Sequence, residues 1–143
     1  MTPTSVERPP DLLDTSAAVA FLVEDHADHE ATFTTLAERQ LGLAGHAAFE
    51  TFSVLTRLPA PSRLVPAAAF RVMTSNFPHT RFLGPERSAE LLTELADRRI
   101  AGGSVYDALV GATALEHGLT LISRDRRAAE TYRALGVVVE MLA

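Results

Sequence analysis

The chain has 143 residues, the length of one ordinary domain with room for a real core. Almost half of them are apolar, which excludes a disordered tail, and the lack of cysteine excludes both a disulfide framework and a thiolate metal site. Net charge is −5 and all 13 basic residues are arginine, which removes every mechanism built on a catalytic lysine and argues against broad non-specific nucleic-acid affinity, though not against a local arginine-lined site.

Met1 to Pro10 is polar and proline-rich, without the apolar stretch of a signal peptide. No apolar run approaches the roughly 20 residues needed to cross a bilayer. The expectation is a flexible N-terminus over 1–10 and a single domain over 11–143, in a soluble, cytoplasmic protein with no membrane partner.

Asp11 to Asp14 is a short apolar run ending on an acid, and Thr15 to Val23 reads as a helix. A second helix is predicted over Asp25 to Gln40, and a strand over Leu41 to Gly45. His46 to Leu58 is helical, with Ala48, Phe49, Phe52 and Leu55 on one face and Glu50 beside it; Pro59 stops it. Pro66 opens a helix to Asn76. Thr80 to Leu83 is a weak strand candidate, and Gly84-Pro85 opens a helix to Arg99 that Gly102 ends. Ser104 to Gly118 is the next helix, followed by a strand Leu119 to Ser123, a helix Arg126 to Leu135 and a strand Val137 to Glu140. Short strands alternating with helices predict an α/β domain, a parallel sheet with helices on both faces.

In such a sheet ligands bind at the carboxyl ends of the strands, where strand order switches. Asp14 ends the first strand, Asp125 follows the strand Leu119 to Ser123, Asp107 lies in the first turn of the preceding helix, and Glu50 lies in the helix after the second strand. Four carboxylates in one crevice repel one another, and the usual stabilising answer is a hard, oxygen-preferring cation such as Mg²⁺ or Mn²⁺. A carboxylate-held ion with open water positions suits phosphodiester hydrolysis.

Each acid also has an ordinary structural reading. Ser104-Val105-Tyr106-Asp107 fits a capping box. Asp14 and Asp125 suit N-caps. Glu50 suits a solvated helix face. Gly111 and Ala114, near the line of Asp107, are read as thinning that helix for approach by the Glu50 helix. The cluster Glu24, Asp25, His26, Asp28, His29 and Glu30 reads as a solvated acidic first turn rather than a metal site. His46, His79 and His117 show no partner spacing. Phe21, Phe33, Phe49 and Phe52 read as core and dimer surface rather than base-stacking groups.

Four segments in fixed order resemble the PIN-domain family, and within it the VapC-type toxins of toxin–antitoxin modules. They are Leu12-Leu13-Asp14-Thr15-Ser16-Ala17, Phe49-Glu50-Thr51-Phe52 through Pro59, Tyr106-Asp107-Ala108 through Ala114, and Leu121-Ile122-Ser123-Arg124-Asp125, spanning nearly the whole chain. The resemblance implies a PIN-like domain with a parallel sheet of about five strands. It implies an endoribonuclease dependent on Mg²⁺ or Mn²⁺, leaving 5′-phosphate and 3′-hydroxyl ends, with Asp14, Glu50, Asp107 and Asp125 as catalytic and metal-holding residues. Thr15 and Ser16 match the family's hydroxyl residues beside the first acid. Ser123 stands where many relatives carry threonine and keeps the hydroxyl. The implied partners are RNA, a cognate VapB-type antitoxin and a second copy in a homodimer. Arg57, Arg124, Arg126 and Arg127 are weaker candidates for RNA phosphate contacts. The alternative is a catalytically silent module whose acidic pocket receives a partner's arginine. A haloacid-dehalogenase-type phosphatase is disfavoured because Ser16 replaces its second acid, and a dinucleotide-binding domain because Thr15-Ser16-Ala17 replaces its glycine-rich turn.

Overall fold

Leu12 and Leu13 are both fully buried although they point to opposite sides of strand β1 (Asp11–Leu13), the mark of a parallel strand covered by helices on both faces. The computed structural model describes residues 8–143, so most of the segment expected to be flexible lies outside the described residues. Elements follow in the order α1 (Thr15–Leu22), α2 (His29–Leu36), β2 (Leu41–Leu43), α3 (His46–Thr56), α4 (Pro66–Asn76), α5 (Pro85–Asp97), α6 (Ser104–His117), β3 (Leu121–Ser123), α7 (Arg126–Ala134) and β4 (Val139–Met141). None of the helices among the described residues is long and apolar enough to cross a membrane.

The strands are all parallel, in the order β2-β1-β3-β4. The chain moves outward from β1 to β2, then crosses back to lay β3 on the other side of β1. The switch point is therefore the gap between the ends of β1 and β3. Leu12 packs into a core shared by α5, α6 and α7, while Leu13 packs into a second core with α1, α2, Ala48 of α3 and Phe77.

The predicted boundaries hold to within a few residues, with two differences. Helix α2 starts at His29 rather than Asp25, because the residues before it are drawn into turns: His26 Nδ1 accepts the Asp28 N–H at 3.0 Å, and His29 Nδ1 meets the Ala20 carbonyl. The fifth strand, expected over Thr80 to Leu83, is reduced to one parallel bridge between Ala44 and Arg81. Its ladder is short but real, since His79 and Arg81 donate to the Leu41 and Leu43 carbonyls and Gly45 donates back to Arg81. The approach depends on Gly42, where a Cβ would strike the His79 backbone. Of the phenylalanines read as core and dimer surface, Phe21 is buried and Phe33 and Phe49 are exposed.

At the other end of the sheet, Asp11 is buried and Arg39 reaches it at 3.4 Å while forking onto Glu140 at 2.8 and 3.1 Å. The Arg39 hydrogen bonds hold the Glu140 carboxyl below its usual range. This pairing ties the loop before β2 to the strand at the opposite edge.

Substituting Gly42→Ala forces backbone against backbone at the β2 edge and should cost about 1–3 kcal/mol in chemical denaturation, the usual range for overpacking. An unchanged denaturation midpoint would show that the 79–81 segment is not held against β2.

Candidate active site

Asp14 follows β1 with an extended backbone, and its side chain folds back to accept the Ala17 N–H at 3.1 Å, capping α1. Ser16 Oγ donates to the same oxygen at 2.6 Å; Ser123 Oγ at 2.5 Å and the Tyr132 hydroxyl at 2.9 Å donate to the other. The carboxylate is almost wholly buried, at 3% exposure. Burial outweighs the four donors and pushes its pKa above the ordinary 3.8. Tyr132 is buried with it, and burial together with the Asp14 charge drives the phenol upward, so it remains a donor.

The same hydroxyls connect Asp14 to the loop after β3. Ser123 Oγ accepts the Asp125 N–H at 3.0 Å, and Ser16 Oγ accepts the Arg124 N–H at 2.9 Å. Asp125 caps α7 through Oδ1, which takes the N–H groups of Arg127 and Ala128. For Asp14 and Asp125 the capping reading is thus correct, and capping leaves each carboxylate at the cleft.

For Asp107 it is not. Helix α6 has no side-chain cap, and the expected capping box with Ser104 does not form. Gly103, the residue before it, already has helical backbone angles (φ −61°, ψ −26°), whereas a side-chain N-cap needs an extended residue. Asp107 Oδ2 is instead held by Arg127 Nη1 at 3.0 Å, while Arg127 Nη2 reaches Asp125 Oδ2 at 3.2 Å. Gly111 also serves a different neighbour from the one expected. A Cβ there would press on Tyr132 at 3.1 Å and on Leu135 and Val137 at 3.4 Å, so it admits the tyrosine that holds Asp14. The close approach of α3 to α6 is made by Gly45 (φ +52°), where a Cβ would meet Thr113 Oγ1 at 2.6 Å.

Glu50 enters from α3, half-buried, with His46 Nε2 at 3.6 Å one turn earlier. Burial raises its pKa, with repulsion from Asp107 and Asp14 adding to that and His46 opposing it. His46 also stacks on Tyr106, ring centres 5.0 Å apart and 18° between planes. The histidine that showed no partner spacing in the sequence therefore stands at the rim of the site.

All four acids line one cleft of about 110 Å³, together with Thr15, Ser16, Arg127 and Tyr132. Sequence reasoning missed Tyr132, although a signal existed. It lies on the Ala128, Ala129, Tyr132, Leu135 face of α7, and a tyrosine that deep needs a partner for its hydroxyl. The structure does not bring the other arginine candidates to the cleft. Arg124 is spent on Asp28, Thr32 and the Ala143 carbonyl; Arg57 ends α3 away from it; Arg126 lines a separate groove with Arg133 and Met141.

Among the described residues, no three acids or histidines close around one ion position. The chemistry of the donor set nevertheless fits a hard divalent cation. The donors around the cleft are carboxylate and hydroxyl oxygens, and Thr15 Oγ1 is buried beside Glu50 with no close hydrogen bond among the described residues.

The PIN domain family model matches residues 12–134. Ribonuclease VapC27 of Mycobacterium tuberculosis is 44% identical over 136 residues, covering 95% of this chain and 99% of that protein. Among solved structures of similar fold, VapBC2 from Rickettsia felis bound to a DNA fragment from their promoter superposes with a TM-score of 0.66 at 15% identity, covering 94% of this chain and 100% of that one. VapC20 of Mycobacterium tuberculosis, a sarcin–ricin-loop-cleaving toxin, superposes with a TM-score of 0.66 at 21% identity, covering 91% and 97%.

Because burial raises the Asp14 pKa in the fold, this group supports folding most in acid. That support declines as pH rises from 3.8 through the raised folded value, leaving a constant penalty above it. Asp14→Asn removes the titration. The difference in Tm between variant and parent should therefore shift in favour of the variant from acid to neutral pH, read by calorimetry in metal-free buffer. A difference that stays flat or falls would mean that the donors, not burial, dominate this carboxylate.

Proposed function

The chain belongs to the PIN domain family, and from that membership we infer that it is a VapC-type ribonuclease, the toxin of a toxin–antitoxin module. We propose that Asp14, Glu50, Asp107 and Asp125 are its catalytic and metal-holding residues. The observation that carries this reading is the meeting of these four acids, from distant points in the sequence, in one small cleft at the switch point of the sheet. The proposed cofactor is Mg²⁺, or Mn²⁺ in its place. Such an ion, when bound, supplies an activated water and charge neutralisation at the phosphodiester.

The protein's own contribution is positioning. Ser16, Ser123 and Tyr132 fix both oxygens of Asp14, so the deepest carboxylate presents one geometry. The raised pKa values of Asp14 and Glu50 mean that acid solution protonates them and weakens any cation site they form. Thr15 Oγ1 is available to orient a water or a phosphate oxygen. No side chain is required as a nucleophile.

The proposed partners are an RNA substrate, a VapB-type antitoxin and a second copy of the chain. The net charge of −5 and the acidic cleft suit an antitoxin segment that is basic. The exposed Phe49 and Phe82, 6.1 Å apart, are a candidate surface for the homodimer.

The purified chain, free of partner, should cleave RNA with Mg²⁺ and stop when the ion is chelated. Asp14→Asn should abolish cleavage. Tyr132→Phe, which keeps the ring and loses the donor, should lower it about 10- to 100-fold, as losing a group that orients a metal ligand does. Mg²⁺ should also raise the Tm of the parent. An Asp14→Asn protein as active as the parent would sink the assignment. No cleavage and no Tm shift at millimolar Mg²⁺ would favour the silent binding module.

A further inference from the structure

We propose, resting on the ribonuclease reading, that Arg127 is a latch built into the cleft. Without a divalent cation its guanidinium bridges Asp107 and Asp125, and the ion must displace it to gain those two carboxylates.

The fork of the guanidinium spans two acids that reach the cleft from different elements. Nη1 meets Asp107 of α6 at 3.0 Å, and Nη2 meets Asp125 at the start of α7 at 3.2 Å. No hydrogen bond joins it to Asp14, whose oxygens are already taken by three hydroxyls and a backbone amide. The cleft is thus divided into an anchored carboxylate and two that carry a removable positive charge.

Three features make Arg127 displaceable. Its root is fixed, since its backbone N–H donates to Asp125 Oδ1 at 3.0 Å, while its side chain is 65% exposed. It sits in the first turn of α7, the end of a helix that disfavours a cation, so the acids and not the helix hold its head in place. The Asp107 side chain is largely covered, but the arginine's end of both ion pairs faces solvent, where salt and water compete for it. Once released, the fork remains at the cleft, where it suits the non-bridging oxygens of a phosphate.

The test is Mg²⁺ affinity measured by isothermal titration calorimetry on the full-length chain without RNA, comparing the parent, Arg127→Ala and Arg126→Ala. Arg126 removes the same formal charge from the same helix turn but lines a different groove, so it reports any general field effect. Losing the competing contacts should tighten Mg²⁺ binding about three- to tenfold in Arg127→Ala, and much less in Arg126→Ala. Binding by Arg127→Ala where the parent binds none would support the latch equally. Unchanged or weaker affinity in Arg127→Ala, or equal tightening in Arg126→Ala, would overturn it and leave the metal reading intact. Failure of both parent and Arg127→Ala to bind Mg²⁺ would overturn both.

Discussion

A single carboxylate, buried at the end of β1 and met by four donors, is the interaction on which the rest of the structure depends. An ionised Asp14 with so little exposure would be prohibitive in an apolar core. Ser16 comes from its own helix, Ser123 from the neighbouring strand and Tyr132 from α7, so its solvation requires β1, β3 and α7 to dock together. The small residues nearby follow from the same need. Gly111 has no side chain because Tyr132 must lie against it, and the hydroxyl at Ser123 satisfies Asp14 and the Asp125 amide at once. Burial still outweighs the four donors and leaves the carboxyl raised above its ordinary range.

How much of this was legible in the sequence follows from the range of each interaction. Element types and the cap positions of Asp14 and Asp125 were readable because periodicity and capping are local: an acid before a helix start caps it whatever lies elsewhere. The capping box at Asp107 failed because the backbone of Gly103 was already helical, and residue identity does not reveal the state of a glycine. Gly111 was assigned to the wrong neighbour for a related reason. A small residue announces a close approach without saying by what, and the partner here was α7 rather than α3. Tyr132 and Arg127 act across 118 and 20 residues of sequence, where no spacing rule reaches. The fifth strand is a single bridge beside Gly42, a close backbone approach that no side-chain pattern in the sequence marks.

The cleft therefore has two halves of different mechanical character. On one side both oxygens of Asp14 are taken by hydroxyls, those of Ser123 and Tyr132 buried and that of Ser16 partly buried. On the other, Glu50 and Asp125 are partly open to solvent, and Asp107 and Asp125 share an exposed guanidinium. A rigid set of four converging acids with nothing to offset their charge would carry its full mutual repulsion. Anchoring one with hydroxyls, softening Glu50 with His46 and covering two with Arg127 spreads that cost over three separate devices. The division also sets where the site can be tuned. Changes around Asp14 act on folding and geometry together, whereas changes at the arginine act on the two carboxylates it holds. Nothing in the local sequence of α7 would single out Arg127 over Arg126. The difference lies in which face of one helical turn each occupies, and that is fixed only once Tyr132, further along the same helix, has docked against Asp14.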